Sequence, residues 1–189
     1  AVVVGYDLDQ RLIILRSGTE KRHIIPLKTF ERTWSRANYW ALVIVPTTQV
    51  PATAQAPRYL KAAQDLESTG NTISAMQAYQ TAIQHWPDES LPWLALGNAY
   101  YNQQDFIRSE ASFRQALQLH PHAAQLWNNL GYSLLAQGCQ QQAVEAVQCA
   151  VDQQPDKAEY HHSLSEIIDD SIQNSRQCAP ITCALPPAD

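Results

Sequence analysis

Trp93-Leu94-Ala95-Leu96-Gly97 returns 34 residues later as Trp127-Asn128-Asn129-Leu130-Gly131. Ala116 and Pro121 return at the same distance as Ala150 and Pro155, and counting back by 34 reaches Tyr59, Ala63, Ala75, Tyr79, Ala82 and Pro87. A large side chain, a small one and a closing proline at a fixed period describe a helical hairpin that buries its apolar face only by stacking on the next copy. The period predicts helix pairs at 57–69 with 73–86, 90–103 with 107–119, and 124–137 with 141–153. Gly70 and Gly138 fall in the turns within pairs, and Pro87, Pro121 and Pro155 end each unit because proline cannot continue a helix. Asp88 and Asp156 offer side chains for capping the helix that follows. A seventh helix, about 158–172, keeps the register with His161 in the tryptophan slot, and Glu166, Asp169 and Asp170 give it the solvated face that the end of a stack needs.

Outward from the repeats the chain changes character. Residues 46–56 carry two prolines and no charge, the composition of a linker. Before them, Ala1–Tyr6, Leu12–Leu15 and His23–Leu27 are apolar or β-branched runs separated by Asp7-Leu8-Asp9-Gln10 and Ser17-Gly18-Thr19-Glu20, which reads as an antiparallel meander with turn chemistry between strands. A short helix should follow, with Thr29 as N-cap and Phe30 and Trp34 on one face, and Tyr39–Val45 reads as a further strand. The expected class is therefore α+β: a β meander with one short helix in 1–45, then an all-α solenoid of three repeats and a capping helix over 57–172. The last stretch, 173–189, has no period and is expected to be flexible or locally tied. Ala1-Val2-Val3-Val4 reads like the middle of a strand, so the chain is expected to be part of a longer protein.

The 189 residues are 45% hydrophobic, enough to bury a real core, and only 16% charged with a net charge of −5. Residues 1–50 carry seven Lys/Arg against four Asp/Glu, whereas residues 51–189 carry six against fourteen. An acidic repeat half argues against nucleic acid as its partner. No apolar run is long enough for a transmembrane helix. Neither a phosphate-binding glycine loop nor a basic aromatic patch is present, and no cofactor is implied.

The repeats resemble the tetratricopeptide repeat. Its pattern is met at Trp93, Leu96, Gly97, Tyr100, Phe113, Ala116 and Pro121, with Ser109 in the usual alanine slot, and again at Trp127, Leu130, Gly131, Ala143, Ala150 and Pro155, with Leu134 and Val147 where aromatics are usual. These signature residues are core. The resemblance implies that binding uses the concave face of the first helices, at Asn98, Tyr101, Asn102, Asn128, Tyr132, His162 and Glu166. That set is amide, phenol and acid. The Lys and Arg with which tetratricopeptide clamps grip a C-terminal carboxylate are missing, so an extended peptide held by amide hydrogen bonds and flat apolar contact fits better than a chaperone tail. The alternative for these side chains is an ordinary solvated surface.

Residues 1–45 resemble the C-terminal part of a papain-like cysteine peptidase domain, of the type that removes double-glycine leaders from bacteriocins. The strand Val2-Val3-Val4-Gly5-Tyr6-Asp7 and the segment Phe30-Glu31-Arg32-Thr33-Trp34 carry the likeness. The resemblance implies a nucleophilic cysteine and a histidine base upstream of Ala1, so this stretch alone is non-catalytic. It places Ser17 where the third triad member, usually an Asp, would orient the imidazole. Asp7 and Asp9 read as turn residues. Under this resemblance the repeats recruit a protein substrate for a bacterial peptidase; the alternative is a scaffold with a degenerate peptidase part. Unpaired strand edges in an incomplete domain favour self-association.

Ten residues of helix put Cys139 and Cys149 about 15 Å apart, beyond disulfide reach. Cys178 and Cys183 bracket Ala-Pro-Ile-Thr and either close a small disulfide, which suits a bacterial periplasm or cell envelope, or stay as thiols; the cytoplasm is the alternative location. His120 and His122, or His161 and His162, lack the spacing of a metal site.

Overall fold

The computed structural model describes residues 1–41, 43–169 and 178–183. The chain divides into two compact units, Ala1–Ile44 and Val45–Asp189. The first holds strands β1 (Val2–Asp7), β2 (Leu12–Ser17) and β3 (Glu20–Pro26) in the antiparallel order β1-β2-β3. Asp7 Oδ1 accepts the Gln10 N–H at 2.8 Å in the first turn, and Gly18 supplies φ +57° in the second, which costs glycine little. Alternation puts Ile13 and Leu15 of the central strand inward, both under one-tenth exposed.

Helix α1 (Leu27–Arg36) starts two residues before Thr29, with Pro26 at the N-cap and no side-chain cap. Phe30 and Trp34 stack one turn apart, their ring centroids 5.5 Å from each other. The strand expected at Tyr39–Val45 does not form among its described residues; residue 42 lies outside them. Asn38 and Tyr39 take φ of +52° and +55°, and this reverses the chain so that the Trp40 carbonyl accepts the Trp34 indole N–H at 2.7 Å. β-branched composition favours a strand only where a neighbouring edge receives it, and here the backbone hydrogen bonds of residues 37–40 go back to α1 and its end.

The second unit is a run of seven helices: α2 (Ala56–Ser68), α3 (Thr72–His85), α4 (Leu91–Asn102), α5 (Phe106–Leu119), α6 (Ala124–Ala136), α7 (Gln140–Gln153) and α8 (Ala158–Asp169). The periodic expectation is met within a residue or two at each end. The expected stretch 170–172 lies outside the described residues. No described helix is long and apolar enough to cross a membrane. Each hairpin closes on a small residue. A Cβ on Gly97 would stand 2.6 Å from the Phe113 ring, and a Cβ on Gly131 would collide with the Val147 side chain. Leu134 and Val147, in the aromatic slots, are both fully buried, so the departures from the pattern leave the packing closed.

Two features depend on the position between repeats. The Trp127 indole donates to the Pro121 carbonyl at 2.8 Å, and His161, in the same slot, donates from Nε2 to the Pro155 carbonyl at 2.7 Å. Histidine thus keeps the hydrogen bond of the tryptophan slot while filling less space. Ser109, where alanine is usual, is fully buried. Its hydroxyl donates to the Gly97 carbonyl at 2.9 Å, and its oxygen accepts from Ser133 of the next repeat at 2.8 Å. The Ser133 proton has the Asn129 carbonyl at 3.1 Å as a second acceptor, so each hydroxyl of the buried pair has a partner. Capping is sparser than the aspartates suggested. Asp105 accepts the Arg108 N–H at the start of α5, whereas α4 starts at Ser90 without a side-chain cap and makes no use of Asp88.

The three within-hairpin turns occupy equivalent positions, with φ of +86° at Gly70, +60° at Gln104 and +78° at Gly138. Gln104→Gly is therefore expected to stabilise the array by about 1 kcal/mol, the usual order of left-handed backbone strain in a residue with a Cβ, read as a raised denaturant midpoint with unchanged slope. Gly97→Ala is expected to cost about 1–3 kcal/mol by overpacking against Phe113. Trp127→Ala is expected to cost about 3–5 kcal/mol, and a melting point lowered by only a degree would remove Trp127 from the core.

Candidate functional site

Helical period places one residue in three or four of each first helix on a common face. Along that face three hydrogen bonds each span one repeat. Asn102 Nδ2 of α4 donates to Glu67 Oε1 of α2 at 3.4 Å. Asn129 Nδ2 of α6 donates to Asn98 Oδ1 of α4 at 3.0 Å. Tyr132 of α6 donates to Glu166 Oε2 of α8 at 2.8 Å. Glu67 also accepts the Tyr79 phenol at 2.9 Å. Between α2 and α4 the face opens into a groove of about 520 Å³ lined by Gln64, Glu67, Ser68, Asn98 and Asn102, with Tyr79 at its floor.

Of the residues expected here, Asn98, Asn102, Tyr132 and Glu166 are joined in this ladder. Tyr101 sits half-buried, edge-on to Phe106 at 5.3 Å between ring centroids. His162 is exposed on α8. Asn128 departs from its expected place: it is 7% exposed, and its Oδ1 is buried without a hydrogen-bond partner among the described residues. The neighbouring Asn129 makes the contact across repeats instead, because the stacked helices rotate position 128 into the packed layer. Ser17 belongs to the first unit, exposed at the end of β2 and opposite Glu20 in the register. On β3, His23 Nδ1 pairs with Glu20 at 2.9 Å on the surface.

The sequence reading missed the first repeat's share of the groove. Subtracting 34 from Asn98, Tyr101 and Asn102 gives Gln64, Glu67 and Ser68, so the period held the signal. The fixed charges at these groove positions are the carboxylates of Glu67 and Glu166; none of the positions is Lys or Arg. Burial raises the Tyr132 pKa; the Ser163 hydroxyl offsets part of the rise and Glu166 adds to it. Burial also raises the Tyr79 pKa, and Glu67 reinforces it.

The outer side of the array holds the cysteines. Cys178 is disulfide-bonded to Cys139 at the N-terminus of α7, 39 residues away in sequence, and Cys149 and Cys183 are thiols. The small Cys178–Cys183 loop is therefore not formed. Proximity in sequence favoured it, but the return of the chain to α7 brings Cys178 to the buried Cys139 first. Arg114 donates to the Ala179 and Pro180 carbonyls at 3.2 and 3.4 Å, and Gln142 Nε2 donates to the Cys178 carbonyl at 3.4 Å. Residues 178–183 are thus tied down; the rest of 173–189 lies outside the described residues.

A stack of helical hairpins with a polar groove along its first helices is the architecture of a helical-repeat array. Residues 94–158 match the tetratricopeptide-repeat family. Among curated proteins none matches the chain in sequence. Among solved structures, the first such domain of Spaghetti (RPAP3) bound to the HSP90 peptide SRMEEVD aligns with a TM-score of 0.57 at 16% identity, over 60% of this chain and 90% of that one. The second such domain of human RPAP3 with the HSP70 peptide SGPTIEEVD aligns at 0.56 and 18% identity, covering 60% and 95%. The TPR2B domain of yeast Sti1 in complex with an Hsp70 peptide aligns at 0.56 and 13% identity, covering 60% and 96%. At these identities the likeness is one of fold.

The raised Tyr79 pKa carries a sign. The folded state holds the phenolic proton more tightly than the unfolded chain, whose value is about 10, so the contribution to stability is whole below pH 10 and is lost as pH rises beyond it. Tyr79→Phe is expected to flatten the alkaline limb of the stability–pH curve above pH 10. An unchanged limb would mean that Tyr79 ionises as freely folded as unfolded.

Proposed function

We propose that the face formed by α2, α4, α6 and α8 binds an extended, neutral or basic segment of a protein partner. The observation that carries this reading is the ladder of amide, phenol and carboxylate groups running from Glu67 to Glu166 with a one-repeat spacing. An extended chain presents N–H and C=O groups along its whole length, and side-chain amides are able to take both. The related domains with bound peptides hold segments ending in EEVD. In this chain Glu67 and Glu166 stand on the face, and a second cluster of acids would meet repulsion there.

The test is a titration of the chain with the peptide SRMEEVD and with a lysine-rich peptide of equal length, at low and high salt. The basic peptide is expected to bind at least about tenfold more tightly, which corresponds to about 1.4 kcal/mol, and Glu67→Lys with Glu166→Lys is expected to reverse the order. Asn98→Ala with Asn102→Ala is expected to weaken the basic peptide while leaving the helical content unchanged. Equal affinity for both peptides, insensitive to the charge reversal, would sink the reading.

The finer proposal concerns what the array serves. The resemblance of residues 1–45 supports recruitment of a substrate for a bacterial papain-like cysteine peptidase, the alternative being an adaptor alone. The Cys139–Cys178 bond supports an oxidising compartment such as the periplasm or cell envelope. Labelling of the native full-length protein with a thiol-reactive peptidase inhibitor separates the two. One adduct on a cysteine outside residues 1–189, lost on denaturation, means a peptidase; adducts confined to Cys149 and Cys183 mean an adaptor.

A further inference from the structure

The strap formed by residues 178–183 runs beside α7 with a cysteine at each end, and α7 carries a cysteine opposite each. From Cys139 to Cys149 is ten residues of helix, about 15 Å. From Cys178 to Cys183 is five residues, which span at most about 17 Å when extended. The two spacings agree only if the strap lies nearly extended along the helix, and the contacts at both ends show that it does. At one end the Cys139–Cys178 bond is closed. At the other, Cys183 packs half-buried against the apolar cluster that contains Cys149, close enough for Cys183 to raise the Cys149 pKa.

The preceding repeat supplies a control. Counting back by 34 from Cys139 and Cys149 gives Asp105 and Gln115, and from Arg114 and Gln142 gives Gln80 and Arg108. The outer groove there, lined by Gln80, Ile83, Trp93, Tyr100, Arg108 and Gln115, is an open cleft of about 390 Å³. The guanidinium and carboxamide that hold strap carbonyls in one groove are present, exchanged, in the other. The cysteines are present only in the groove where a strap lies.

We propose that Cys149 and Cys183 form a second disulfide, so that the strap is a two-rung, redox-controlled clasp on the outer face of the last full repeat. A small-molecule disulfide such as oxidised glutathione is the oxidant. The more accessible Cys183 sulfur, as thiolate, attacks one glutathione sulfur, forming a mixed disulfide and releasing one glutathione thiolate. The Cys149 sulfur, giving up its proton, then attacks the Cys183 sulfur and expels the second glutathione. Two thiols and one glutathione disulfide become one protein disulfide and two glutathione thiols. Burial raises the Cys149 pKa, and the neighbouring Cys183 adds to the rise, which is why the more accessible partner starts the exchange and the buried sulfur finishes it.

The experiment incubates the full chain with oxidised glutathione, counts thiols after unfolding, and maps the linkages by mass spectrometry of the unreduced digest. The expected result is loss of both remaining thiols with a Cys149–Cys183 linked peptide beside the Cys139–Cys178 one. In Cys149→Ser the expected product is Cys183 carrying glutathione. Persistence of both thiols, a Cys178–Cys183 link, or stable glutathione on Cys183 of the unsubstituted chain would each overturn the proposal.

Discussion

The close approach of the two helices within each hairpin is the constraint from which the rest of the array follows. Gly97 lies under the Phe113 ring and Gly131 under Val147, with no room for a Cβ at either position. That distance lets one face of the hairpin interdigitate completely, leaving the other apolar edge to be covered by the following pair. The result is two consecutive clusters, one from Leu60 to Ala99 and one from Phe113 to Ile167. A side chain at Gly97 would displace the Phe113 ring and one at Gly131 would displace Val147, both members of the second cluster.

Between repeats the array adds polar order to this packing. Ser109 and Ser133 form a buried, satisfied pair at the junction of two hairpins, where an alanine would leave only apolar contact. Such a pair is tolerant of one geometry, since a slip by one position would strand two hydroxyls in the core. The ladder on the first helices is oriented by the same stacking, so the spacing of its groups is set by the interior. On the other side, Arg114, Gln142 and the Cys139–Cys178 bond hold residues 178–183. The inner face is thereby open and polar, while the outer face of the last repeat is covered by the chain itself.

Much of this is legible in the amino-acid sequence, for a physical reason: a stack of identical units repeats its packing, and the packing repeats its residues. The helix bounds, the glycines of the turns and the burial of Leu134 and Val147 all followed from the period of 34. Within the face, the same count aligns Asn98, Asn102, Tyr132 and Glu166, which make hydrogen bonds across repeats, and it reaches Gln64, Glu67 and Ser68 as well. The strand expected at Tyr39–Val45 failed because β-rich composition carries no information about a partner edge. Asn128 was misplaced because adjacent asparagines share composition, and only the rotation of α6 decides which of them reaches Asn98.

The sequence by itself determined the repeat architecture, its capping helix, the acidic and amide character of the first-helix face, and the β meander, since each rests on local periodicity or turn chemistry. Only the tertiary structure decided which side chains link across repeats, that Ser109 finds Ser133, and that Cys178 bonds Cys139 rather than the nearer Cys183. Those pairings join residues 24 to 39 positions apart. Spacing along the chain ranks partners by nearness in sequence, whereas a hydrogen bond or disulfide forms between groups that the folded backbone brings within a few ångströms.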